Sequence, residues 1–109
     1  MAELGANHDQ AMTFDVAEGG DHTVTVRLAG ELDITNIDAL ASGVAPALER
    51  GPQRMVVDVS GLRFADSSAI ALWVRWAGVV PEIELRDVPP LLRRVVESMG
   101  LAETLNVTP

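Results

Sequence analysis

Two hydrophobic periods alternate along the chain, and the points where one gives way to the other mark its elements. Thr13-Phe14-Asp15-Val16-Ala17 and Thr23-Val24-Thr25-Val26-Arg27-Leu28 repeat every second residue. In the second run Val24, Val26 and Leu28 share one face and Thr23, Thr25 and Arg27 the other, the signature of a half-buried strand. Glu18-Gly19-Gly20-Asp21 supplies turn chemistry between them, so the pair reads as an antiparallel hairpin. Gly30-Glu31-Leu32-Asp33 breaks the second strand. Ile37, Leu40, Ala41, Val44, Ala45 and Leu48 then recur at helical spacing. Thr35 reads as the N-cap of this helix, Asp38 as its capping-box partner, and Gly51-Pro52 as its stop. Pro46 lies inside the stripe, removes one internal hydrogen bond and predicts a bend.

Met55-Val56-Val57-Asp58-Val59 is apolar on both faces but for Asp58, as befits a central strand. A second helix, from about Ser68 to Trp76, is apolar most of the way round and predicts deep burial or a surface shared with a partner. Gly78 closes it and Pro81 turns into Ile83-Glu84-Leu85, a strand whose Glu82, Glu84 and Asp87 read as a solvated edge. Pro89 sits where a third helix begins; Leu91, Leu92, Val95, Val96 and Met99 form its stripe, and Gly100 stops it. Leu101 to Val107 reads as a short final strand or a segment packed across a sheet edge. Strands that follow helices run parallel through right-handed crossovers. The fold class is therefore α/β, with one mixed sheet of four to five strands and helices against it.

Composition narrows the function. At 109 residues this is one domain, with residues 1–12 as a polar, flexible N-terminal tail and 13–109 as the folded unit. The absence of cysteine excludes disulfides and thiolate metal sites. No apolar run reaches the length of a membrane span, and no signal segment opens the chain, so the expected compartment is the cytoplasm. The formal net charge of −8 disfavours nucleic acid and anionic membrane surfaces and points to a protein partner with a basic face. No phosphate loop, metal-ligand spacing or nucleophile elbow is present. His8 falls in the tail and His22 in a turn, so neither is placed as a catalytic base. A cofactor-free, metal-free, non-enzymatic module is expected.

One stretch remains chemically interesting: Asp66-Ser67-Ser68-Ala69, where the central strand meets the second helix. Asp and Ser are the preferred helix caps, and that is the plain reading of the triplet. The position also suits a switch. A phosphate on Ser67 would bring about −1.5 to −2 charges to a helix N-terminus, which tolerates anions, and would be felt by whatever docks there. Trp73 and Trp76, one turn apart on the same helix, either fill the core or form an exposed edge beside Ser67.

Leu28-Ala29-Gly30-Glu31-Leu32-Asp33, Val57-Asp58-Val59-Ser60-Gly61-Leu62, Phe64-Ala65-Asp66-Ser67-Ser68 and Pro90 to Leu101 with Arg94 together resemble the STAS domain family of bacterial anti-sigma factor antagonists, over nearly the whole of Thr13 to Val107. The resemblance implies helices mainly on one face of the sheet. It implies Ser67 as the phosphoacceptor of an anti-sigma factor serine kinase, with ATP and magnesium belonging to the kinase. The unphosphorylated protein would bind that kinase and free its sigma factor; a PP2C-type phosphatase would reverse the modification. Asp33 and Asp66 stand at acidic positions near the site that assist docking or phosphoryl transfer. Ser68, Ala69 and Glu31 complete the expected docking surface. Ala69 departs from the family's usual glycine, its methyl standing where a partner approaches, and the second helix is about one turn short. The alternative within the same family is a STAS subunit held on an ATPase of a bacterial lipid-transport ABC complex.

Overall fold

A computed structural model describes residues 12–108; the expected N-terminal tail lies, but for Met12, outside them. The chain runs β1 (Met12–Glu18), β2 (Thr23–Leu32), α1 (Ile37–Glu49), β3 (Arg54–Ala65), α2 (Ser67–Ala77), β4 (Glu82–Arg86) and α3 (Pro90–Ser98). The four strands form one sheet in chain order, β1-β2-β3-β4. β1 pairs antiparallel with β2, whereas β2 with β3 and β3 with β4 pair parallel, as the strand–helix–strand pattern requires.

One face of the sheet carries the core. Val24, Val26 and Leu28 of β2, Met55, Val57 and Val59 of β3 and Ile83 and Leu85 of β4 are buried beneath all three helices. α1 contributes Ile37, Leu40, Val44 and Ala47; α2 contributes Ala69, Ile70, Leu72, Trp73 and Trp76. Phe14 packs across α1 at Gly43, where a Cβ would overlap its ring, which accounts for a glycine in mid-helix. α1 continues through Pro46, which leaves the carbonyl four residues back, on exposed Ser42, without its helical N–H.

The opposite face carries, among the described residues, no member of that core cluster and is largely polar around a buried Val56. Strand register lines up Asp15, Arg27, Asp58 and Arg86 across β1 to β4, a row of alternating charge. Beside it Glu84 is buried, not solvated: Arg54 donates at 2.8 Å, Arg86 at 2.9 and 3.2 Å, and Thr108 at 3.3 Å. The alternation correctly set Glu84 opposite Ile83 and Leu85, but it missed the two arginines that fold over it. The Arg86 hydrogen bond, opposed by partial burial, is the leading cause that holds its carboxyl below the usual range.

Several boundaries move. Thr35 does not cap α1; Asn36 is the N-cap residue, and its amide instead bonds back into the preceding loop. Pro90, not Pro89, is the first residue of α3. That helix ends in a Schellman turn, with Gly100 at φ 73°, its N–H on the Glu97 carbonyl and the Leu101 N–H on the Val96 carbonyl. Leu101 to Val107 is not a strand but a set of turns that buries Leu105 and makes one bridge, Val107 to Leu85.

The central strands are longer than their alternation announced. β2 runs through Gly30 to Leu32, and β3 through Ser60-Gly61 to Ala65. Both extensions depend on two register shifts, between Arg27 and Ala29 and between Gly30 and Glu31, where β3 holds one extra residue each time. At the first shift Asp58 accepts the Ser60 N–H at 3.0 Å, and a Cβ on Gly61 would lie 2.9 Å from the Ala29 Cβ and 3.0 Å from the Leu28 carbonyl oxygen. The Asp-Val-Ser-Gly segment is thus a bulge built for close strand approach. The second shift turns Phe64 outward, to 53% exposure, although the spacing from Leu62 alone would bury it.

Candidate functional site

Parallel pairing brings the C-terminal ends of β2 and β3 together at Leu32 and Ala65. The loops that follow, Asp33–Asn36 and the Asp66 junction, are therefore neighbours, as in other open α/β sheets where sites form beyond the strand ends. Asp66 fastens them. Its backbone N–H reaches the Leu32 carbonyl at 3.1 Å, and its Oδ2 accepts the Ile34 N–H at 3.2 Å. Its Oδ1 accepts the Ser68 N–H at 2.9 Å and the Ser68 hydroxyl at 2.6 Å, so Asp66 is the side-chain N-cap of α2. The Ser68 hydroxyl is the leading cause that holds the Asp66 carboxyl below its ordinary range; partial burial opposes it, and the N–H groups of Ser68, Ile34 and Ala69 assist it.

The two serines thereby differ. Ser68 is half-buried with its hydroxyl committed to Asp66. Ser67, the first residue of α2, is exposed, and among the described residues its hydroxyl takes no hydrogen bond. An unengaged hydroxyl at a helix N-terminus is accessible to a modifying enzyme, and the modified form meets the positive end of the helix.

The adjoining loop is internally braced. Asp33 accepts the Thr35 N–H at 2.9 Å and the Thr35 hydroxyl at 2.5 Å; Asn36 accepts the Asp33 N–H at 2.9 Å and donates to the Glu31 carbonyl at 2.9 Å. This bracing leaves Ile34 70% exposed at the tip. Glu31 is exposed, 3.9 Å from Arg63 across the strand pair.

Three candidate docking residues do not reach the surface. Trp73 and Trp76 are buried, at 0% and 3% exposure, so the core-filling reading holds and the exposed-edge reading fails. Both rings belong to the hydrophobic core, even though the Trp73 indole N–H finds no partner there. Ala69 is also fully buried: its methyl points into the core and presents nothing to an approaching partner. Ile34 and Phe64 are what the sequence reading missed. Ile34 gave no periodic signal, and Phe64 is exposed only because of the second register shift.

Among the described residues no cluster of potential metal ligands occurs, and no helix is long and apolar enough to cross a membrane. The family model described as Mlab, STAS domain, matches residues 16–108. No curated protein matches the chain in sequence. Among solved structures, an anti-sigma factor antagonist from Mycobacterium paratuberculosis superposes with a TM-score of 0.82 at 21% identity, over 90% of this chain and 86% of that one. The anti-sigma factor antagonist SpoIIAA in its unphosphorylated form gives 0.74 at 24% identity, over 89% of each chain. The Bacillus cell fate determinant SpoIIAA in its phosphorylated form gives 0.66 at 24% identity, over 89% and 92%. With a family model that matches residues 16–108 of the described 12–108, this protein belongs to the STAS domain family.

Proposed function

We propose that this protein is an anti-sigma factor antagonist, a binding module whose association with an anti-sigma factor serine kinase is switched off by phosphorylation of Ser67. The observation that carries the reading is the difference between the serines: Ser67 is exposed and unengaged at the first position of α2, while Ser68 is tied to Asp66. Solved structures of the same fold are described as anti-sigma factor antagonists, and one of these proteins, SpoIIAA, is known in phosphorylated and unphosphorylated forms.

In the reaction the Ser67 Oγ attacks the γ-phosphorus of ATP held by the kinase. The Oγ–P bond forms, the bond to the leaving ADP oxygen breaks, and the hydroxyl proton passes to a base of the kinase. Asp66 is unsuited to be that base, because both its oxygens are occupied and its carboxyl titrates below the ordinary range. Its part is to fix the helix end that presents Ser67. The product places about −1.5 to −2 charges beside the Asp66 carboxylate on a chain already at −8. The added charge and volume stand where the kinase docks, and the kinase is displaced without any need to refold the domain. A PP2C-type phosphatase restores the hydroxyl by hydrolysis.

Incubation with the cognate kinase and ATP, followed by mass spectrometry, tests the assignment. One phosphate is expected on the wild type and none on Ser67→Ala; label that persists in the variant refutes the site. The second reading is a STAS subunit seated on an ATPase of a lipid-transport ABC complex, and the Mlab description of the matching family favours it. In that case Ser67→Ala and the wild type co-purify with the ATPase alike, and no kinase is involved.

A further inference from the structure

β3 outlasts its neighbour. β4 pairs with it only from Arg54 to Asp58, because Asp87, at φ 57°, turns the chain out of the sheet directly after Arg86. From Val59 to Ala65 the β3 backbone is paired with β2 on one side, and among the described residues no strand pairs with the other. Where β4 would have continued there is an apolar groove of about 250 Å³, between Leu62, Phe64 and Ala65 on the strand and Leu91, Leu92 and Val95 on α3. Leu91 is 74% exposed and Val95 41%, one helical turn apart, so α3 carries more apolar surface than its core contacts at Leu92 and Val96 use.

A cavity of this size takes one or two large side chains and falls below the roughly 300–1,000 Å³ of small-molecule sites. A groove between a free strand edge and a helix is instead the geometry of strand addition. The guest's backbone completes the ladder, and alternate side chains drop into the apolar floor. Charge selects the guest further. Arg63 lines the groove on the strand bank, 71% exposed, with Glu31 at 3.9 Å; Arg93 and Arg94 of α3 line a separate depression that they share with Glu97. The charged residue in the groove's lining is thus an arginine on a chain of net charge −8, which favours a carboxylate on the guest.

We infer that this groove binds an extended acidic segment of the protein partner as an added fifth strand on β3, with apolar side chains at alternate positions in the groove and a carboxylate toward Arg63. The inference rests on the reading of the chain as a partner-binding module, since the groove opens beside the Ser67 end of β3 and would lengthen the same contact. It does not depend on phosphorylation.

The test uses the full chain and four synthetic heptapeptides. One alternates Glu with Val and Leu, one replaces Glu by Lys, one is the Glu peptide N-methylated at alternate amides, and one is a helix-stapled version. NMR titration should show the Glu peptide shifting the amides of Arg63 to Ala65 and the methyls of Leu91 and Val95. Its affinity should exceed that of the other three by about tenfold. Arg63→Glu should invert the preference between Glu and Lys, and Leu91→Ser with Val95→Ser, both at exposed positions, should abolish the shifts. Equal binding of the N-methylated or stapled peptide overturns strand addition; equal binding of the Lys peptide overturns the charge selection. Shifts elsewhere, or none, overturn the site. Sedimentation of the wild type that reveals self-association lost in the Leu91/Val95 variant would make a second copy the occupant and also refute it. Peptide binding unchanged in Ser67→Ala, alongside a failed kinase assay, would remove the phosphorylation reading and leave the groove standing.

Discussion

Asp66 does two jobs with one carboxylate. Oδ1 caps α2 through Ser68, and Oδ2 holds the Ile34 N–H of the neighbouring loop. Asp66→Ala should therefore lose about 1 kcal/mol of stability through the cap alone, read as a lower urea midpoint at unchanged slope, and should raise hydrogen exchange at Ile34. Its folded carboxyl titrates below the unfolded one. The contribution of the charged form is thus complete above the ordinary aspartate value of about 3.9 and disappears as the pH falls through the lower folded value. The stability gap between wild type and Asp66→Asn should close on acidification in that window and stay flat from pH 5 to 8. Ser67→Ala should leave stability within about 0.5 kcal/mol of the wild type, as expected for an exposed hydroxyl with no partner. A larger loss would mean that Ser67 is itself a structural cap.

The elements were legible where one period held and obscure where it slipped. The hairpin, the helix stripes and the strand–helix alternation were readable because each obeys a single spacing, and so was the parallel order of β2, β3 and β4. The extensions of β2 and β3 were not, because a bulge adds one residue and reverses which side chains face inward. Gly30 and Gly61 looked like punctuation, yet one takes φ 94° within β2 and the other lets β3 approach Ala29. The same slip exposed Phe64 and hid half of the docking surface, while the tryptophans, equally consistent with core and interface, could be assigned only once the packing was known. The Asp-Ser-Ser junction was legible as the start of a helix, but nothing in the sequence announced that Ser68 would be the committed hydroxyl. Gly61→Val should destabilise the domain by about 1–3 kcal/mol, since its side chain meets backbone and Cβ rather than a movable ring. A thermal melt gives the measure, and a loss below about 0.5 kcal/mol would show that β3 can shift away from β2.

Across the whole molecule the two faces of the sheet have different tasks. One is covered by three helices and supplies the core; the other is held by ion pairs, with Glu84 at the meeting point of β3, β4 and the C-terminal turn. Glu84→Gln should cost about 1–2 kcal/mol near neutral pH, because the hydrogen bonds from Arg54 and Arg86 lose their charge while both arginines keep access to water. Its folded carboxyl also titrates low, so the difference from wild type should shrink below the ordinary glutamate value of about 4.3. Denaturation midpoints at pH 7 and pH 3 check both signs. The order of the strands adds a consequence for how the domain comes into being. Because spatial order equals chain order, no strand must later be threaded between two that are already paired. The β1–β2 hairpin can form first, on a scale of about 1–10 μs. β3 and then β4 join its growing side, each after one helical crossover has closed. Those two closures, rather than any rearrangement of the sheet, set the pace of assembly.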